Sequence, residues 1–299
     1  MSTYHVPVLL RESVEGLSIK KDSAIVDVTF GGGSHSREIL KHLGDNGRLI
    51  AFDQDTDSLR NAIDDQRFVL NNANFKHFGR FLRVNGQRQV DGVLADLGVS
   101  SYQFDTADRG FSFRFQGDLD MRMDKSGALT ASDVLNTYKE EDLQSIFSRY
   151  GEVRNAKSLA SLIVAERNQQ KFTDIGGFLK SIGPMVRGNR NKYLAQLFQA
   201  IRIEVNDEMG TLESLLQQVY EALKVGGRVS IISYHSLEDR MVKNFFKTGN
   251  VEGEIEKDFY GNHTRPFKLI TKKPVLPSEE EIRVNSRARS ARLRIAEKI

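Results

Sequence analysis

Four short apolar runs in the first hundred residues, each followed by a turn or an amphipathic stretch, constrain this chain more than any other feature. Ala24-Ile-Val-Asp-Val28, Arg48-Leu-Ile-Ala-Phe-Asp53, Phe68-Val-Leu70 and Gly92-Val-Leu-Ala-Asp96 have the length and apolar content of buried strands. Helical spacing fills residues 36–43 and 57–63 between them. Strands that alternate with helices build a parallel sheet covered by those helices, because a parallel crossover needs about a dozen residues of connecting chain. The expected class is therefore α/β.

The pattern changes between about Asp105 and Asn206. Strand-like runs disappear, and Leu143, Ile146, Phe147 and Tyr150 fall at i, i+3, i+4, i+7, a spacing that Leu194, Leu197, Phe198 and Ile201 repeat. Residues 106–206 are expected to form a helical insert, assigned to substrate recognition, within a discontinuous core of residues 1–105 and 207–299. One long helix is predicted along the stripe Val205, Met209, Leu212, Leu216, Val219, Leu223, with Gly226-Gly227 as its stop signal. Then a fifth strand follows at 228–234 and a helix at 237–246, with two terminal strands at 268–272 and 291–296. Residues 249–265, rich in Gly, Asn and charge, read as a mobile loop.

Composition removes several function classes. The chain has no cysteine, so disulfides, thiolate metal sites and cysteine nucleophiles are excluded. No apolar run approaches the ~18–20 residues of a membrane span. The first ten residues lack a basic region followed by an apolar stretch, so the cytoplasm is the expected location. The net charge of +3 is mild, but its distribution is uneven. Arg283, Arg287, Arg289, Arg292, Arg294 and Lys298 crowd the tail against a single Glu297, and Arg187-Gly-Asn-Arg-Asn-Lys192 forms a second basic cluster. Both suit phosphate contacts, and both also suit a plain solvated surface.

The first strand runs into Asp27-Val-Thr-Phe-Gly-Gly-Gly33. Small residues there let the backbone approach a ligand, and the free N–H groups of the following helix turn toward it. The second strand ends in Asp53, about 20 residues on, where a carboxylate can accept hydrogen bonds from two ribose hydroxyls. The fourth ends in Asp96, at the sheet edge where ligands of such folds bind; a helix cap is its competing reading. Phe75, Phe78 and Phe81 compete as the ring flanking adenine, and any of them also fits a core. The turn Gly31-x-Gly33-x-x-Ser36 lacks the third glycine of a dinucleotide fingerprint. Five βα units with two terminal strands, and no second nucleotide half, favour the methyltransferase variant of the doubly wound fold: a Rossmann-like, seven-stranded S-adenosylmethionine-dependent core.

Longer strings sharpen this. Asp27-Val-Thr-Phe-Gly-Gly-Gly-Ser-His-Ser36, Asp96-Leu-Gly-Val-Ser-Ser-Tyr-Gln-Phe-Asp105, Asp120-Met-Arg-Met-Asp124, Ile201-Arg-Ile-Glu-Val-Asn206 and Ser233-Tyr-His-Ser-Leu-Glu-Asp-Arg240 occur in order along the chain. So do His5-Val-Pro-Val-Leu-Leu10, Arg109-Gly-Phe-Ser-Phe113, Tyr150-Gly-Glu152 and Asn285-Ser-Arg-Ala-Arg-Ser290. With them the chain resembles the RsmH (MraW) family, methyltransferases of cytidine N4 in small-subunit ribosomal RNA. The resemblance implies S-adenosylmethionine held by Gly33, Ser34, His35, Asp53, Phe75, Asp96 and Gln103. Ser34 stands where the family usually has glycine and adds a side chain close to the ligand. The family's fold is a methyltransferase core interrupted by a small helical domain.

Methyl transfer from a sulfonium is an in-line displacement that needs alignment and exclusion of water, and no metal. The cytosine amine is a poor nucleophile because its lone pair is delocalised into the ring. An acceptor that polarises N–H therefore helps, and Asp96 fits that role as well as it fits a purely cofactor contact. Tyr102, Phe104, Phe111, Phe113 and Tyr234 are the aromatic residues available to hold an unstacked base. Asp120–Asp124 and His235–Arg240 carry more polar groups than packing requires, which places them, with Ser233 and His235, near the substrate; helix capping and ion pairing is the alternative reading for Glu238, Asp239 and Arg240. The expected partner is small-subunit rRNA or the small ribosomal subunit, with no membrane and a homodimer left open. A same-fold enzyme acting on DNA or a small molecule, and a noncatalytic RNA-binding assembly factor, are the other readings.

Overall fold

The computed structural model describes residues 7–255 and 265–299. The loop expected at 249–265 falls largely outside these residues, as do His5 and Val6. The chain divides into two compact units: Met1–Gly98 with Met209–Ile299, and Val99–Glu208. The sequence pattern puts the change at 106 and 206.

The first unit opens with α1 (Leu10–Gly16), β1 (Ala24–Asp27), α2 (Ser34–His42), β2 (Arg48–Asp53), a 3₁₀ turn at Thr56–Asn61, β3 (Phe68–Asn72), α3 (Phe78–Val84) and β4 (Val90–Asp96). The second unit is helical: α4 (Ser101–Asp105), α5 (Ala131–Thr137), α6 (Glu140–Arg149), α7 (Ala156–Arg167), α8 (Ile175–Ile182) and α9 (Arg190–Asn206). Next come α10 (Glu208–Ala222), β5 (Leu223–Ser233), α11 (Ser236–Thr248), β6 (Phe267–Leu269), α12 (Glu279–Val284) and β7 (Arg292–Lys298). Among the described residues no helix is long and apolar enough to cross a membrane.

The seven strands form one sheet in the order β3-β2-β1-β4-β5-β7-β6. Strands β1 to β5 are parallel, and β7 runs antiparallel to both β5 and β6. This is the α/β methyltransferase arrangement. From β1 the chain winds outward through β2 and β3, then returns to lay β4 on the other side of β1. Such a reversal leaves a crevice at the carboxyl ends of the two central strands, where doubly wound folds bind ligands. Burial explains why the strands read as unbroken apolar runs: Ile25, Leu49, Phe52 and Leu94 are all within 1% of complete burial.

Two local expectations are corrected. The stripe from Val205 to Leu223 is two helices, because Asp207 adopts φ 46°, ψ 45° and ends α9 before α10 begins. A periodicity count cannot see one residue in the left-handed region, although Asn and Asp tolerate it best after glycine. Gly226-Gly227 does not cap a helix; it lies inside β5, where pairing with β4 jumps from Val90↔Leu223 to Gly92↔Arg228. Gly226 takes φ +80°, as an irregular strand position of this kind requires.

The second unit has its own core, built from the expected helical faces. Leu143, Phe147, Leu197 and Ile201 are fully buried, and Phe178 and Ile163 belong to the same cluster. Its loops are pinned from within. Asn206 donates to the Met121 carbonyl at 2.7 Å and accepts from the Met123 amide at 2.7 Å. Arg109, 5% exposed, donates to the carbonyls of Arg122 and Met123 at 3.0 Å. The Asp120–Met123 string thus holds this unit together, with Asp120 paired to Arg122 at 2.7 Å.

Candidate active site at the carboxyl edge of the sheet

The site begins at the end of β1. Asp27 is completely buried; it accepts from the Ser36 hydroxyl at 2.7 Å and from the Thr29 amide at 3.1 Å. Burial pushes this carboxyl above its ordinary range, partly offset by His35, whose own value burial lowers. These bonds fix the glycine turn from beneath. Gly31 and Gly33 take φ +51° and +75°. A methyl group on Gly33 would sit 2.8 Å from the Phe30 ring and from Arg37 Nη1. Gly33→Ala is therefore expected to destabilise the protein by about 2–4 kcal/mol, the sum of left-handed strain and overpacking. Urea unfolding reads this directly, and a midpoint equal to wild type would refute the tight turn.

Helix α2 starts at Ser34 with no side-chain cap. Its first-turn N–H groups therefore point past the turn, as an anion-binding helix end does. Gly31, Gly32 and Ser34 are accessible there, whereas His35 is 6% exposed with its Nε2 3.2 Å from the Val8 carbonyl oxygen. The His35 ring faces inward, so what it can offer a ligand is its backbone amide.

Asp53 closes the next strand. Its Oδ2 accepts from the Gly31 amide at 2.7 Å and its Oδ1 from the Asp55 amide at 2.8 Å. Burial raises its pKa to about 6 despite these two bonds. Each carboxylate oxygen carries a second lone pair, so the group is braced against the glycine turn and still able to accept from a diol. Beyond β3, Asn74 donates to Gln54 at 2.7 Å and starts the 3₁₀ turn that carries Phe75. Of the three competing rings, Phe78 is completely buried and Phe81 packs edge-on against Phe52 at 5.9 Å. Phe75 is the partly exposed ring nearest along the chain to the end of β3.

The fourth and fifth strands supply the remaining edge. The Asp96 amide donates to Thr29 Oγ1 at 2.6 Å, which ties the ends of β4 and β1 together. Tyr234 Oη donates to Asp96 Oδ1 at 2.7 Å. Burial, then the Asp96 charge, raise the Tyr234 phenol well above its usual range, so it stays protonated and remains the donor. Gly98, at φ +90°, passes close to this ring; a Cβ there would lie 3.7 Å from Tyr234 Cδ2. In sequence Tyr234 stands out only as a stacking surface. Its bond to Asp96 crosses 138 positions, and only the adjacency of β4 and β5 brings the two together.

Several of the other expected residues make structural contacts. Ser233 is 2% exposed and donates to the Arg292 carbonyl of β7 at 3.3 Å. His235 is the N-cap of α11 in a reciprocal box with Glu238, and its Nε2 lies 3.2 Å from Glu238 Oε1 without hydrogen-bond alignment. Glu238 also accepts from the Tyr234 amide at 2.8 Å. Burial works against the Asp239 carboxylate, but Arg294 at 2.7 Å and Arg292 at 3.2 Å outweigh it and hold its pKa below the ordinary value. Glu238 and Asp239 are thus capping and ion-pair residues that fix the corner carrying Tyr234. In the second unit, Gln103 closes a capping box on α4 with Ser100. There Phe111 is core and Phe113 packs edge-on against Phe198 at 5.5 Å, while Tyr102 is 52% exposed.

Within the first unit, then, Gly33, Ser34, His35, Asp53, Phe75 and Asp96 all lie at the carboxyl ends of β1 to β4. The family description of MraW methylases matches residues 2–299. This chain belongs to the MraW methylase family. It is an S-adenosylmethionine-dependent methyltransferase. Curated relatives called "Ribosomal RNA small subunit methyltransferase H" are 56% identical over 298 residues in Bacteroides fragilis, covering 99% of this chain and 98% of that protein. In Flavobacterium johnsoniae the figure is 57% over 299 residues, with coverage of 99% and 98%. Among solved structures, an rRNA methylase from Streptococcus thermophilus overlays at a TM-score of 0.42 and 12% identity, covering 99% of each chain.

Proposed function

We propose that this methyltransferase transfers the methyl group of S-adenosylmethionine to N4 of one cytidine in the decoding region of small-subunit ribosomal RNA. The observation that carries the reading is the end-to-end likeness to relatives whose name specifies small-subunit rRNA methylation. The alternatives, DNA, a small molecule or a noncatalytic role in assembly, have no comparable support.

The edge of the first unit suits the methyl donor on its own terms. Asp53 would take the two ribose hydroxyls, Phe75 would flank adenine, and the uncapped start of α2 at Ser34 and His35 would receive the carboxylate of the methionine part. Gly33 keeps the turn low enough for that approach. Gln103, whose side chain serves the α4 cap, is included by family resemblance. When bound, the cofactor supplies an electrophilic methyl group on a sulfonium.

The chain's own residues must then raise the nucleophilicity of an amide-like nitrogen. Asp96 is the acceptor for an N4–H, which draws electron density toward nitrogen as the bond to carbon forms. Tyr234 fixes the rotation of the Asp96 carboxylate, and the Thr29 hydroxyl fixes its backbone. His235, Ser233 and Glu238 hold the strand-to-helix corner that aims Tyr234. The helical unit, residues 99–208, is assigned to substrate recognition, where the exposed Tyr102 and the cluster Arg187–Lys192 are suited to RNA.

Deleting the gene and analysing digested small-subunit rRNA by mass spectrometry is expected to show one cytidine losing a single methyl on N4. Intact N4-methylcytidine in the deletion strain would refute the assignment. Labelled-methyl transfer to naked RNA, DNA and small subunits would then separate the remaining substrates.

A further inference from the structure

A second basic feature lies away from the glycine turn, on the outer edge of the first unit's sheet. Residues 270–274 bulge out of that edge. Leu269 pairs with Ala296 and Val275 with Leu293, so five residues on one side face only Arg294 and Ile295 on the other. The bulge is held rigidly: the amides of Ile270 and Thr271 both donate to the Ile295 carbonyl, at 3.0 and 3.2 Å, and Thr271 Oγ1 accepts from the Ile295 amide at 2.9 Å. Lys272 and Lys273 of the bulge line the same groove as Lys243 and Lys247, which stand one turn apart on α11. That groove, of about 330 Å³, is also lined by Phe246 and Pro274.

The chemistry of this groove is one-sided. All four lysines are exposed, and among the described residues none has an ion-pair or hydrogen-bond partner. The Arg294 guanidinium at its inner wall is already neutralised by Asp239 at 2.7 Å. Like charges gathered together repel, so the arrangement gains when a polyanion enters. Lysine on an edge strand also prevents sheets from joining edge to edge. That explains Lys272 and Lys273 but not the matching pair on α11, nor the groove that all four line.

We propose that this groove binds the phosphodiester backbone of the RNA substrate at a segment distinct from the nucleotide being methylated. The inference rests on the rRNA reading above. Four ammonium groups lining one groove can track a strand of phosphates and read no bases, so the contact adds affinity and register without sequence preference. It places part of the recognition of a large RNA on the methyltransferase core itself.

The test uses the full chain with Lys272→Glu/Lys273→Glu, Lys243→Glu/Lys247→Glu and the corresponding glutamine pairs. Binding to naked small-subunit RNA and to small subunits is measured from 50 to 200 mM salt, alongside S-adenosylmethionine affinity by calorimetry. Each glutamate pair is expected to weaken RNA binding about tenfold or more and to flatten the salt dependence by ~0.7–0.9 for every phosphate that is no longer neutralised. Cofactor affinity and kcat at saturating RNA should stay within about twofold, because these lysines lie outside the cofactor edge. The glutamine pairs should show a smaller loss of the same kind. Unchanged RNA affinity and slope, with wild-type protein binding normally, would overturn the groove alone. A loss confined to assembled subunits would also overturn it, in favour of a ribosomal protein contact. Failure of the wild-type protein to bind or methylate small-subunit RNA would overturn the proposed function and the groove with it.

Discussion

Replacing Asp96 with alanine is expected to slow methyl transfer by about 10²–10⁴-fold at saturating cofactor and RNA, the range for loss of a positioned acceptor together with its electrostatic effect. The cause lies in the corner between β4 and β5. The carboxylate is held at 2.7 Å by a phenol that stays protonated, and its own backbone is tied to Thr29 at 2.6 Å. Little freedom remains for another group to substitute. Single-turnover kinetics combined with calorimetry distinguish the two roles open to this residue. If Asp96 polarises the amine, the saturated rate falls while S-adenosylmethionine affinity changes only a few-fold. If it serves the cofactor alone, affinity falls and saturation restores the rate. Tyr234→Phe should produce a milder version of the first pattern, about tenfold, because it removes one orienting hydrogen bond at ~1–2 kcal/mol.

Asp53→Ala is expected to weaken S-adenosylmethionine binding by about 10²-fold or more, since two charge-assisted hydrogen bonds at ~1.5–3 kcal/mol each are lost. The wild-type residue also predicts a pH profile. Its pKa is raised to about 6, so below that value the carboxyl is protonated and a poorer acceptor for two hydroxyls. Cofactor affinity should fall about tenfold between pH 7.5 and pH 5, the loss expected when one required ionisation is reversed over one unit. The alanine variant should be flat over the same window. Stability follows the opposite sign. A carboxyl whose folded value lies above its unfolded value contributes stability at low pH and loses it as pH rises through about 6. Cofactor that engages the ionised form should therefore raise Tm more at pH 7.5 than at pH 5, and equal shifts at both values would contradict the assignment.

What the sequence made legible follows from range. Ile25, Leu49, Phe52 and Leu94 sit in apolar runs because a parallel strand is buried on both faces, and such runs can be read without a partner. The glycine turn, Asp53 and Asp96 were visible because each ends its own strand. The bond between Tyr234 and Asp96, the bracing of Asp27 by Ser36, and the pairing of Asp239 with Arg294 were not. Two of the three join residues more than fifty positions apart, and all depend on how elements pack. His235–Arg240 looks substrate-facing by composition, yet Glu238 and Asp239 are drawn into a cap and an ion pair that build the corner. Residues 57–63 read as a helix, but the 3₁₀ turn at Thr56–Asn61 takes their place, started by Asp55 accepting from the Asp57 amide at 3.1 Å. A period of 3.6 cannot be told from one of 3.0 over so few residues.

The pairing of β4 with β5 has a consequence for how the polypeptide acquires its shape. Val93 and Leu94 find their neighbours in Val229 and Ser230 only after the whole of residues 99–208 has intervened. Closing a loop that long lowers chain entropy before any contact repays it, and parallel pairings of high sequence separation are slow for this reason. The intervening helices carry a core of their own, with Phe147, Phe178 and Leu197 fully buried, and the buried residues of that core all lie between Phe111 and Ile201. They can condense first and shorten the effective tether between the two halves of the sheet. The helical unit then acts on the rate at which β4 meets β5.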